Sequence, residues 1–101
     1  PGAALAAAGA GATEALVRAL AVELAPIRVN AVRAGAFRTP MWDRVPQPQR
    51  DAIFSRLRQS TLVGSIGEPE QIAMTHLYLM HNGYITGTVL GLDGGSLLTA
   101  G

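Results

Sequence analysis

The chain has 101 residues, 49% of them apolar, and a formal net charge of +1. That length holds at most one small domain, and the composition suits a chain that buries surface, not a disordered one. The eight basic residues are all arginines, spread from Arg18 to Arg58 and interleaved with acids, so no basic tail for nucleic acid is expected. Cysteine is absent, which excludes disulfides and thiolate chemistry and fits the cytoplasm.

The opening PGAALAAAGAGAT is the longest run free of both charged residues and histidine. It falls short of the roughly 18 apolar residues that a membrane span needs, and glycine interrupts it, so no membrane segment is expected. It also lacks the basic start of a signal peptide. The first residue is proline, which points to a processed chain or a piece of a longer one.

A first helix is expected over residues 3–25. Its amphipathic part begins near Ala12, with Leu16, Leu20 and Leu24 at i, i+4 spacing and Val17 and Ala21 beside them. Glu14 and Arg18 are spaced for a weak surface pair. Ala19 and Val22 make a second side apolar or small, the pattern of a helix held between its own core and a partner. Pro26 ends it. IRVNAV, residues 27–32, reads as a short buried strand. Residues 33–48 are irregular, punctuated by Gly35, Pro40, Pro46 and Pro48. A second amphipathic helix follows over 49–59, around Ile53, Phe54 and Leu57. Pro69 suits a first helical turn and opens a third helix over 69–81, stopped at Gly83. The last strand spans 88–92 and enters the glycine turn that holds Asp93.

Two buried strands joined through helices run parallel. A two-stranded parallel sheet has two open edges and little to cover its faces. The chain is therefore expected to be part of a larger α/β domain, or to pair with another chain.

Several segments carry possible chemistry. RVNAVRAGAFRTP ends a strand in a glycine-bearing loop, and loops at the carboxyl ends of strands line the ligand crevice of open α/β sheets. Gly35 would allow close backbone approach to a ligand and Thr39 offers a hydroxyl. The alternative is a plain strand-to-helix turn. Met41 and Trp42 suit either the cap of an apolar substrate pocket or packing of the loop on the body. His76 and His81 are five apart, off the i, i+4 spacing of helical metal ligands, and no metal site is expected. No G-x-S-x-G elbow surrounds Ser55, Ser60, Ser65 or Ser96. GAGATE resembles a dinucleotide loop only superficially, lacking a third glycine and a preceding strand.

Taken together, EALVRALAVELAPIRVNAV, AGAFRTPMW, GSIGEPEQIA and GYITGTVLGLDGG resemble the carboxyl-terminal half of a short-chain dehydrogenase/reductase, from residue 12 to residue 95. The resemblance implies an α/β fold: the C-terminal half of a Rossmann-type doubly wound parallel sheet, incomplete on its own. It implies hydride transfer between NAD or NADP and a carbonyl or alcohol carbon. The loop at Gly35, Ala36, Phe37 and Thr39 corresponds to the one that wraps the nicotinamide end of the cofactor. Ala34 stands where the family has proline, which relaxes the turn, and the ring of Phe37 could crowd the nicotinamide. Residues 37–60, with Met41 and Trp42, correspond to the substrate segment. The helix at 12–25 corresponds to one that forms homo-oligomer interfaces.

Two family parts are missing. The cofactor's glycine-rich loop belongs to the N-terminal half of the fold, to be supplied by the same chain or a companion. The family's catalytic tyrosine and lysine fall at Ala6 and Ala10. The first tyrosine is Tyr78, and the sequence has no lysine. The expectation is a fragment of an oxidoreductase that is inactive alone, with a non-catalytic relative serving binding or assembly as the alternative.

Overall fold

The computed structural model describes residues 3–99. Helix α1 runs Ala3–Glu23 and strand β1 Ala31–Ala34; a 3-10 turn at Pro40–Arg44 leads into helix α2, Gln47–Gln59. Helix α3 (Pro69–His81), strand β2 (Val89–Leu92) and the single turn α4 (Ser96–Thr99) complete the chain. The two strands pair in parallel, Ala31 opposite Val89 through Ala34 opposite Leu92.

Proline and its neighbours set the helix bounds. Pro69 occupies the first turn of α3, and the Gln71 side-chain oxygen accepts the Glu68 N–H at 2.8 Å, one arm of a capping box. At the other end of that helix Arg28 acts as the cap. Its guanidinium donates to the carbonyls of Leu79 and Met80 at 2.8 Å each and of Ile85 at 3.0 Å. Those of Leu79 and Met80 are carbonyls that a helix terminus leaves without intrahelical partners, and the cation also opposes the negative end of the helix dipole. Asn30 ties down the loop before β2: its amide donates to Ile85 O at 3.0 Å and its oxygen accepts from Thr88 N at 3.0 Å. Thr86 Oγ1 accepts from Val29 N at 3.1 Å. The R-V-N triplet thus sews the approach to β1 onto the approach to β2.

Those bonds correct the expected strand. Residues 27–30 lie alongside the 85–88 loop through side chains and a few backbone bonds, and the ladder begins only at Ala31. It continues through Arg33, the first residue of the segment expected to be irregular. Arg33 fits because its ladder partner is Gly91: a Cβ there would lie 2.9 Å from the guanidinium, so the arginine crosses over a residue with no side chain. It reaches Glu14 on α1 at 3.0 Å. The expected Glu14–Arg18 pair is therefore replaced by a tertiary one. The expected helix over 3–25 ends at Glu23, because the residue before a proline is pushed out of helical conformation. The segment at 33–48 is also more ordered than expected: Phe37 forms a parallel bridge with Gly67, the 3-10 turn follows, and α2 starts two residues early.

At its amino end α1 continues unbroken through Gly9 and Gly11. It is 21 residues long, and by length and composition it meets the requirement for crossing a membrane, although its opening uncharged run is shorter than a span. The core helix of a soluble domain passes the same test.

Among the described residues, the buried apolar side chains are Val17, Phe37, Phe54, Ile66 and Leu79. Fifteen large apolar side chains are exposed, among them Leu5, Val22, Met80 and Leu98. The expected sandwiching of α1 is one-sided here: Val17 is covered while Leu16 and Val22 face outward. The radius of gyration is 15.7 Å, against about 13 Å for a self-contained domain of this length. The two-stranded sheet and uncovered helix faces match the expected incomplete α/β half.

Candidate functional site

The carboxyl ends of both strands converge at Gly35–Phe37 and Asp93–Gly95. Gly35 N–H donates to Leu92 O at 2.9 Å, extending the ladder by one bond. A Cβ on Gly35 would sit 2.9 Å from both Cα and Cβ of Asp93. Glycine is needed there because the neighbouring strand passes so close, and no ligand has to be invoked for it. Asp93 is a turn residue, as expected. Its carboxylate accepts from Gly95 N at 2.9 Å and Leu97 N at 3.3 Å, fixing the start of α4. Gly94 and Gly95 take φ of 63° and 85°, which favours glycine, and they press against Thr61, Leu62 and Val63.

Thr61 organises the loop opposite. Its hydroxyl donates to Arg58 O at 3.0 Å or Ser65 O at 3.2 Å and accepts from Gly64 N and Ser65 N at 3.0 and 3.1 Å. Between this loop and the strand ends opens a cleft of about 210 Å³, lined in part by Ala36, Phe37, Val63, Gln71 and Asp93. That is smaller than the roughly 300–1,000 Å³ of an ordinary small-molecule site, as befits a crevice with a wall missing.

Phe37, whose ring could crowd a nicotinamide, lines that cleft. Its ring is turned inward against Gly67, 7% exposed, where a Cβ on residue 67 would collide with it. Arg38 N–H donates to Gly67 O and Gly67 N–H donates to Ala36 O, so the bridge holds the loop by backbone as well. Thr39, half-buried, faces a second depression with Arg38, Trp42 and Phe54. Of the four residues assigned to the nicotinamide loop, then, Ala36 and Phe37 share one cleft and Thr39 lies in another.

Trp42 packs on the body. Its ring meets Phe54 edge-on with centroids 5.5 Å apart, and its indole N–H donates to Phe37 O at 3.0 Å. Arg38 lies 4.8 Å from the Phe54 centroid and pairs with Glu68 at 3.1 Å. Of the two readings left open for this segment, packing describes Trp42, while Met41 remains 68% exposed.

Ala6 and Ala10 lie on the exposed first turns of α1, four apart and so on one face. Neither side chain can move a proton. Tyr78 stands on α3 and Tyr84 beyond it, in other elements. A dinucleotide's phosphates ordinarily sit in a glycine loop between a strand and a helix N-terminus. Gly9 and Gly11 are instead interior to α1, with open space around them. Among the described residues, the arrangement fits at most the nicotinamide end of such a cofactor.

The comparisons with known proteins agree on one relationship. The family model described as enoyl-(acyl carrier protein) reductase matches residues 1–96. A short-chain dehydrogenase/reductase, ATR9 of Stachybotrys chlorohalonatus, is 42% identical over 87% of this chain and 34% of its own length. A (2S)-[(R)-hydroxy(phenyl)methyl]succinyl-CoA dehydrogenase subunit, BbsD of Thauera aromatica, is 46% identical over 85% of this chain and 35% of its own. Among solved structures, the MalC reductase/Diels-Alderase of Malbranchea aurantiaca superposes with a TM-score of 0.91 at 38% identity, covering 97% of this chain and 38% of that one. A small-chain dehydrogenase in complex with NADPH gives 0.81 at 44% identity, covering 87% and 40%. The chain thus spans about a third of the length of the curated relatives it matches.

Proposed function

Because the chain belongs to the short-chain dehydrogenase/reductase family, we propose that it is the carboxyl-terminal part of an NAD- or NADP-dependent oxidoreductase domain and performs no hydride transfer alone. The observation that carries this reading is the two-stranded parallel sheet left open beside fifteen exposed large apolar side chains. Such a sheet requires further strands and helices, and the N-terminal half of the fold, on the same or a companion chain, would supply them.

In the completed domain, NAD or NADP supplies or takes the hydride. The residues of this chain have three duties. The Gly35–Ala36–Phe37 backbone and Thr39 border the nicotinamide end. Met41 and Trp42 belong to the substrate segment, with Trp42 anchored on Phe54 and Met41 free to meet an apolar substrate. The segment 12–25, most of it in α1 and with Leu16 and Val22 uncovered, forms a homo-oligomer contact. The setting is cytoplasmic, without nucleic acid or membrane.

This chain brings no lysine, and so no tyrosine–lysine pair, for proton transfer. The family resemblance sets Ala6 and Ala10 at the tyrosine and lysine positions, and loss of a general acid/base typically costs about 10²–10⁴-fold in rate. These alanines favour a second reading, that even the completed domain is a non-catalytic relative kept for binding or assembly. Titration with NADPH, followed by its nicotinamide fluorescence, tests the first reading. The chain alone should give no saturable change, and the chain joined to a glycine-rich βαβ half should give one. Tight binding by the isolated chain would overturn it.

A further inference from the structure

We draw no further inference here: the strongest candidate, the exposed apolar stripe of Met74, Leu77 and Tyr78 on α3 with the fully exposed Tyr84 beyond it, is an unpartnered helix face, and nothing in the structure shows what covers it.

Discussion

Separating this chain from the rest of its domain should leave it without a stable fold, and the surface area says by how much. A self-contained folded chain of 10.5 kDa exposes about 5,400 Å². This one exposes 7,176 Å². The excess, about 1,800 Å², is roughly twice what one partner contributes to a standard protein interface. If a little over half of it is apolar, as on ordinary protein surface, its burial is worth about 25 kcal/mol before ordering costs, an upper bound. Net stabilities of whole domains are only about 5–15 kcal/mol. Withholding a contribution of that size should therefore abolish cooperative folding of the isolated chain. Urea denaturation followed by the fluorescence of Trp42, the single tryptophan, together with sedimentation at about 10 µM, reads this out. The expected result is self-association, or a monomer with a shallow transition ending below about 1 M urea. The chain joined to its missing half should unfold cooperatively above about 2 M. A monodisperse isolated monomer with a sharp midpoint above about 3 M would refute the reasoning.

Two further outcomes follow from individual contacts, both measured in the completed domain. Arg28→Met removes the donor to three carbonyls while keeping much of the stem, and should lower the unfolding free energy by about 2–4 kcal/mol in urea denaturation, since hydrogen bonds to charged groups contribute about 1.5–3 kcal/mol each and part of this rim is wet. Arg28→Lys, a point charge without the planar fork, should recover less than half of that; full recovery would show that charge alone matters. Gly35→Ala pushes a methyl group against the backbone of Asp93 and should cost about 1–3 kcal/mol of stability. A neutral effect on stability with a selective loss of cofactor affinity would mean that a ligand, and not Asp93, demands the glycine.

The sequence was most informative where local chemistry decides the structure. Pro69 and Gly83 bracket α3, and its observed bounds agree with the expected 69–81. Ile53, Phe54 and Leu57 mark the inner face of α2, where Phe54 is buried. What stayed illegible depends on partners far along the chain. Ile27 and Val29 look like strand residues, yet Arg28 and Asn30 bond to carbonyls more than fifty positions away and delay the ladder to Ala31. Arg33 reads as loop until Gly91 is set opposite it. Glycines 9 and 11 look like helix breakers, but their cost, about 1 kcal/mol each, is too small to interrupt a long alanine-rich helix. At the site, the glycine loop and Trp42 were recognisable as a pair of alternatives. The packing of each shows only in the approach of Asp93 to Gly35 and of Phe54 to Trp42. The family resemblance was legible because its motifs span most of the chain, and the match over residues 1–96 bears it out.

The central proposal is a chain that completes an oxidoreductase fold, with Ala6 and Ala10 at the positions where the family resemblance sets the proton-transfer pair. Its most direct test is the oxidation of NADPH and NADH in the presence of a panel of ketones and aldehydes, with the unmodified chain joined to a cofactor-binding half that is shown to hold the dinucleotide. The second reading, a non-catalytic relative, predicts cofactor oxidation at the carbonyl-free background rate. Carbonyl-dependent oxidation, with the matching alcohol formed in equal amount, would contradict it.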